Sequence, residues 1–229
     1  MNIKKLMQDA LIYWQDKNFV QAEKILKKII KKDKKNVDAH SNLGVIYATN
    51  KQFELSEIHL KLALKSNNSE ALKANLINVL FEQKKYIDAE ILINQLLDQD
   101  PQNKNLLMTK AKIIRNNGKL DEAFNILERL YEENKDDKFI GISFAYTLNL
   151  AKKYKRAVKI YESILKEDEQ FFPAIYNCGL IYLNQRINIK SAITLLEKSL
   201  IIQPNNIELL LSLAAAYEEV YRFKDAINL

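Results

Sequence analysis

The sequence predicts an all-α chain made of one helical hairpin repeated along its length, and three observations carry that expectation. Only 4 Gly and 3 Pro punctuate 229 residues, too few for the closely spaced turns of a β-barrel or sandwich. A small residue preceded three positions earlier by a bulky one recurs seven times: Phe19/Ala22, Phe53/Ser56, Tyr86/Ala89, Leu120/Ala123, Tyr154/Ala157, Ile189/Ala192 and Phe223/Ala226. The steps between successive small residues are 34, 33, 34, 34, 35 and 34. A fixed period of this length marks a repeat array, in which each unit buries its apolar face only against its neighbours. Within each period the apolar residues follow helical spacing on two successive segments.

The units fall at approximately 3–36, 37–69, 70–103, 104–137, 138–171, 172–206 and 207–229, the last incomplete, and are read as a single domain over 1–229. The first helix of each unit has its own small residue twelve positions before the landmark: Ala10, Gly44, Ala111, Ala145 and Ala214, with Ile77 as the exception. In the sixth unit Gly179 stands thirteen before, which places one extra residue in the turn. Three residues beyond this site the chain has Tyr13, Tyr47, Leu80, Ile114, Leu148, Tyr182 and Tyr217. Between units lie the polar hinges "KDKKN", "SNNSE", "DQDPQN", "ENKDD" and "QPNN", whose Asn, Asp and Pro suit the end of one helix and the start of the next. A glycine within a helix costs about 1 kcal/mol relative to alanine. At Gly179 that cost is expected to be offset by close helix approach, with Ala192 at the contact.

These residues resemble the tetratricopeptide repeat family over essentially the whole chain. Its pattern is met in the sixth unit by Ile175, Cys178, Gly179, Tyr182, Ala192, Leu196 and Pro204, and in the second by His40, Leu43, Gly44, Tyr47, Ser56 and Leu60. Pro101 closes the third unit at the same place. Departures are Ile77 and Asn78 where Gly or Ala is usual, Ser56 for Ala, and the missing proline in most units. The resemblance implies a right-handed α-solenoid of antiparallel helix hairpins, about seven units long. It also implies a non-catalytic protein or peptide-binding scaffold that captures an extended segment in its concave groove.

In such a stack the groove is lined by the first helix of each pair. Two residues before the Gly/Ala site stand Gln8, Asn42, Asn75, Thr109, Ser143, Asn177 and Ser212, all uncharged hydrogen-bonding residues. A helix needing only solubility would use Lys or Glu at some of them, whereas amides and hydroxyls offer donors and acceptors to a peptide backbone. In the sugar-transferase and import-receptor members of the family that this chain resembles, asparagines at this place grip peptide main chain, and Asn42, Asn75 and Asn177 match. Neighbouring positions add Asn78, Phe81, Lys112, Arg115, Tyr146, Asn149, Tyr176 and Leu180. The candidate peptide-binding set is therefore Asn42, Asn75, Asn78, Lys112, Arg115, Tyr146, Asn149, Tyr176 and Asn177. Lys112 and Arg115 would welcome an acidic ligand. The lysine-based carboxylate clamp of some relatives is absent, because Met7, Ser41 and Ala74 occupy its key site in the first three units.

Enzymatic chemistry finds no support. The glycines form no phosphate-cradling loop, no Cys or His pair has metal-ligand spacing, and no cofactor or small-molecule substrate is called for. Cys178 reads as a small core hydrophobe, remote from both histidines, and His59 is expected to face no partner. The acidic runs "EENKDD" and "KEDEQ" fall in solvated turns. One cysteine cannot form an internal disulfide, and the N-terminus meets Gln8, Asp9, Gln15 and Asp16 before any signal-like apolar core. No window approaches a membrane span, so a cytoplasmic location is expected. The net charge of +6 is modest. One helix, "QAEKILKKIIKKDKK", sets Ala22, Ile25, Leu26, Ile29 and Ile30 against Lys24, Lys27, Lys28, Lys31, Lys32 and Lys35, a cationic stripe that adds nucleic acid or acidic membrane to the range of partners. The seventh unit stops at "FKDAINL". The alternative reading is accordingly the substrate-recruiting arm of a larger transferase, a sulfotransferase or glycosyltransferase whose catalytic domain follows Leu229.

Overall fold

The computed structural model describes residues 2–229 and is helical throughout, with no strand among the described residues. The helices are α1 (Ile3–Gln15), α2 (Phe19–Lys32), α3 (Val37–Thr49), α4 (Phe53–Ser66), α5 (Glu70–Glu82), α6 (Tyr86–Leu97), α7 (Lys104–Asn116), α8 (Leu120–Glu133), α9 (Lys138–Leu150), α10 (Tyr154–Glu167), α11 (Phe172–Asn184), α12 (Ile189–Ile202), α13 (Ile207–Glu219) and α14 (Phe223–Ile227). Odd-numbered helices are the first members of the expected units and even-numbered ones the second.

Helix starts are specified locally. Asn36, Ser69, Asn103, Asp137 and Asn206 each accept a hydrogen bond from a backbone N–H in the first turn that follows, which satisfies a donor that the helix itself leaves unpaired. Helix α11 has no such cap and instead carries Pro173 in its first turn, where a missing N–H costs nothing. The turn inside each hairpin is closed by a left-handed residue: Lys17, Lys51, Lys84, Lys152, Arg186 and Tyr221 have φ between 49° and 59°, and Gly118 has φ 85°. In the first hairpin the closure is made by the Lys17 N–H donating to the Trp14 carbonyl and the Asn18 N–H to the Tyr13 carbonyl. The turn from α11 to α12 spans residues 185–188 where the first hairpin uses 16–18, the extra residue that the period requires.

Two compact units divide the chain, one ending at Asn117 and one beginning at Gly118. In the first, α1/α2, α3/α4 and α5/α6 form hairpins, and each second helix packs on the first helix of the next, α2 on α3, α4 on α5 and α6 on α7. In the second, α9/α10, α11/α12 and α13/α14 pair in the same way, with α8 on α9, α10 on α11 and α12 on α13. The core of the first hairpin joins Leu6 and Ala10 to Ala22, Leu26 and Ile29, and continues into Ala39, Leu43, Ile46 and Tyr47 of α3. Each fully buried Leu or Ile contributes about 1.5–3 kcal/mol, so the seams between hairpins carry the stability.

The small-residue sites sit on these seams. Ala10, Gly44, Ala111, Ala145 and Gly179 are buried, as is Ile77. A methyl group at Gly44 would come within 2.6 Å of Leu60 Cγ and 2.7 Å of Cδ2, and one at Gly179 within 3.3 Å of Leu195 Cβ and of the Leu196 side chain. The nearest of these atoms belong to Leu195 and Leu196, one turn along α12 from the fully buried Ala192. Ser56, the departure from alanine, is fully buried and its hydroxyl donates to the Gly44 carbonyl at 2.6 Å across the hairpin.

Within each unit the first helices of neighbouring hairpins touch, α3 with α5 in one and α9 with α11 and α11 with α13 in the other. The second helices stand apart, and open clefts separate α4 from α6 and α10 from α12. The first-helix side is thus the inner side of each stack.

Candidate functional site

The inner face of the first unit brings α1, α3, α5 and α7 side by side with their polar register aligned. On α3, Asn42 is half-buried and points its amide Nδ2 at Met7 Sδ of α1, 3.7 Å away. Asn75, at the same register on α5, is half-buried and makes no side-chain hydrogen bond among the described residues. A half-buried amide with donors and acceptor unspent is ready for an incoming polar backbone. Thr109 on α7 differs, since its hydroxyl already donates to the Asn105 carbonyl of its own helix. Gln8 is exposed. Beside this row, Asn78 is exposed, Arg115 is half-buried and already engaged, and Lys112 lays its ammonium 4.2 Å from the centroid of Phe81. The lysine charge is therefore held over the face between α5 and α7.

The second unit presents a different inner face. Asn177 on α11 donates Nδ2 to the Pro173 carbonyl at 2.7 Å, and Ser212 on α13 donates to Glu208 at 2.7 Å, so both are partly spent on their own helices. Ser143 and Asn149 on α9 are half-buried. Tyr146 is 39% exposed, and Tyr176 stacks on Phe172 with centroids 5.7 Å apart. Around them is an aromatic group that sequence reasoning missed. Phe139 and Phe171 meet edge to face at 5.9 Å, and Lys138, paired to Asp168 at 2.7 Å, places its ammonium 4.9 Å from the Phe171 ring. Phe139, Leu150 and Leu211 are exposed large apolar residues on these helices. The signal was present in the sequence: one residue past the start of α9 stands Phe139, where α1, α3 and α7 have Lys4, Asp38 and Asn105.

Away from the inner face, one expectation is corrected. His59 does have a partner: its Nδ1 lies 2.8 Å from His40 Nδ1, and His40 Nε2 lies 3.1 Å from the Lys34 carbonyl. The carbonyl can only accept, so the His40 proton sits on Nε2 and its Nδ1 accepts from His59. The His59 ring also stacks on Tyr47 at 5.4 Å, and the Tyr47 hydroxyl donates to Glu23. Burial, then the adjacent His40 and Lys27, push His59 down to about 4, with Glu23 opposing. A buried carboxylate, Glu57, accepts from Lys61 at 2.6 Å, Lys85 at 2.7 Å and Gln83 at 2.8 Å. Burial alone would raise its pKa, but these donors outweigh it and hold it near about 2.

Cys178 is fully buried, and burial followed by the nearby Glu162 pushes its thiol up to about 12. It is a packing residue, because the thiolate a nucleophile needs is inaccessible. No group of metal-ligating side chains occurs among the described residues. Nor is any helix there long and apolar enough to cross a membrane.

Consecutive hairpins stacked through their neighbours, as each unit shows, define a repeat scaffold of the kind used for protein–protein interaction. The tetratricopeptide repeat model matches residues 8–71, and the same hairpin recurs in both units. No curated protein matches the chain. Solved structures of similar fold include YrrB, described as a tetratricopeptide repeat protein with an unusual peptide-binding site, which is 21% identical with a TM-score of 0.53 and aligns over 82% of this chain and 96% of that one. Another is PilF of Pseudomonas aeruginosa, 20% identical with a TM-score of 0.65 over 90% and 94%. A third is the C-terminal part of a tetratricopeptide repeat-containing protein from Cytophaga hutchinsonii, 14% identical with a TM-score of 0.70 over 97% and 88%. At these identities the likeness is one of fold.

Proposed function

We propose that the chain is a non-catalytic scaffold that holds an extended peptide segment along the inner faces of its hairpin stacks. The observation that carries this reading is the pair Asn42 and Asn75. Two half-buried amides stand at one register on touching helices, α3 and α5, where solubility alone would favour charged residues. An extended strand of peptide exposes alternate backbone donors and acceptors that amide side chains match without regard to sequence. Asn78, Lys112 and Arg115 on the same face would favour acidic side chains of the ligand. Tyr146, Asn149, Tyr176 and Asn177 in the second unit, beside Phe139, would favour aromatic or aliphatic ones. The peptide-binding site named in YrrB makes such a use of the fold reasonable, and belongs to that protein.

The test is affinity capture with mass spectrometry, using wild-type protein beside an Asn42/Asn75/Asn177→Ala variant shown by circular dichroism to be folded. Partners retained by wild type and lost by the variant are expected. Since Asn177 spends its amide on Pro173, the single Asn177→Ala change should matter less than Asn42→Ala or Asn75→Ala. Identical partner lists would remove the inner-face reading.

A further inference from the structure

The first hairpin carries the whole of the chain's net charge. Residues 1–35 hold ten lysines against four acidic residues, while residues 36–229 hold 25 basic and 25 acidic ones. The excess of +6 is therefore local, and peptide capture on the inner face makes no use of it.

The fold gathers these lysines further. Lys24, Lys28 and Lys31 stand at outward positions of α2 where, at the same places in the period, α4 has Ile58, Leu62 and Lys65, α8 has Asn125, Arg129 and Glu132, and α12 has Thr194, Lys198 and Ile201. Because the hairpin is antiparallel, Lys4 and Lys5 at the start of α1 lie at the same end as Lys31, Lys32, Lys34 and Lys35. All six are exposed. The hinges that follow the other second helices, "SNNSE", "DQDPQN", "ENKDD", "KEDEQ" and "QPNN", carry no net positive charge. Against the six lysines stand Asp38 at the start of α3 and Asp33, whose carboxylate accepts from the Lys35 N–H at 3.1 Å and the Asn36 amide at 3.0 Å. Further along α2, Glu23 is taken by Lys27 and Tyr47, and Asp9 lines the α1/α2 cleft with Lys24 and Lys28. The surplus of positive charge therefore sits at the open end of the hairpin.

A surface of this charge calls for a polyanion, and three observations choose among polyanions. The exposed large apolar side chains of the hairpin, Leu11, Ile12, Tyr13 and Val20, lie towards its closed end, so the basic end has nothing to insert into a bilayer as interfacial helices do. No exposed aromatic stands among the lysines, so the bases of a single strand find no platform on which to stack. Finally, Lys24, Lys27, Lys28, Lys31 and Lys32 fan over about 140° of the helix circumference at 3.6 residues per turn. A flat surface meets only one edge of such a fan. The major groove of B-form DNA, about 12 Å wide, admits a helix and offers phosphates on both walls.

We propose that the basic end of the first hairpin docks double-stranded DNA, with the outward face of α2 along the major groove and Lys4, Lys5, Lys34 and Lys35 on the flanking phosphates. Lysines at phosphates fix position and carry no sequence information, so the binding is independent of sequence.

The test follows the fluorescence anisotropy of a labelled, mixed-sequence DNA duplex of about two helical turns titrated with the full chain, at sodium chloride from about 50 to 200 mM. Wild type should bind in the micromolar range at low salt. With about five phosphates neutralised, the logarithm of the association constant should fall against the logarithm of salt with a slope of about −4 to −5. Lys31→Ala should take about one from that slope, and Lys31/Lys34/Lys35→Glu should weaken binding at least about a hundredfold at low salt. These residues are exposed, so both variants should keep the wild-type circular dichroism spectrum and melting midpoint. Lys155/Lys159/Lys166→Glu on α10 makes the same change in net charge in the second unit and should bind within about threefold of wild type. The Asn42/Asn75/Asn177→Ala variant should bind DNA as wild type does, which separates this proposal from the inner-face reading. No binding at the lowest salt, a slope unmoved by Lys31→Ala, or equal losses from the two triple reversals overturns it. So does tighter binding to an RNA duplex, whose deep and narrow major groove does not admit a helix. Co-sedimentation with phosphatidylcholine/phosphatidylglycerol vesicles in the absence of duplex binding also overturns it and would assign the surface to acidic lipid.

Discussion

Single residues decide how closely hairpins approach. At Gly44 a methyl group would fall well inside contact distance of Leu60, which is itself fully buried, and overpacking of this kind costs about 1–3 kcal/mol. Gly44→Ala should therefore lower the urea midpoint. At Gly179 the intrusion is only to 3.3 Å, and the gain in helix propensity of up to about 1 kcal/mol offsets it, so Gly179→Ala should be near neutral and Gly179→Leu destabilising. Equal losses for the two alanine variants would show that the seams relax alike. The histidine pair sets a pH dependence. With His59 held at about 4 in the folded chain against about 6.5 unfolded, its contribution is fully present above pH 6.5 and is lost as pH falls from there towards 4. Discounted for its partial exposure, the loss is about 1–2 kcal/mol. Denaturation at pH 7 and pH 5 should show it, and His59→Leu should flatten the difference. Neither histidine's role was legible from helix periodicity, which sorts residues by face within one helix; the pair forms across a hairpin, from two residues nineteen positions apart.

At the level of the hairpin, the turn residues are the informative ones. The closing residue of each turn must adopt the left-handed backbone conformation, yet Lys, Arg or Tyr fills it everywhere but at Gly118. Side chains pay an intrinsic penalty there that glycine escapes. Lys51→Gly and Lys152→Gly should each stabilise by a few tenths to about 1 kcal/mol, read as a rise in melting midpoint, and a fall in both would locate the turn strain elsewhere. Sequence could place these turns from the period but could not reveal their backbone, since nothing in a lysine signals left-handed geometry. The helix starts were legible because Asn36, Ser69 and Asn103 announce caps by residue type. The polar row on the first helices was legible as a row, but not its state of readiness. Whether an amide turns back to its own helix, as Asn177 does to Pro173, or stays available, as Asn75 does, depends on what surrounds it.

For the molecule as a whole, the period of 33–35 residues foretold the pairing of consecutive helices, because a small residue on one helix and a bulky one on the next are what close approach demands. The inner face of the second unit was less legible, since an aromatic such as Phe139 or Phe171 reads equally well as core. Each unit closes its own seams, from Leu6 to Ile114 in the first and from Ala123 to Tyr217 in the second. Repeat arrays are stabilised by hairpins and their immediate neighbours, so a fragment of residues 1–117 should keep its helical circular dichroism signal and melt cooperatively. A fragment with a random-coil spectrum would show that its hairpins need the rest of the chain.

The packing partners of every helix lie no more than two elements away along the chain. Chains whose contacts are this local close only short loops on the way to the native state, and fold in microseconds to milliseconds. During synthesis, a hairpin can bury its core-facing side as soon as the next helix leaves the ribosome, so the seam residues of only the newest hairpin are briefly bare.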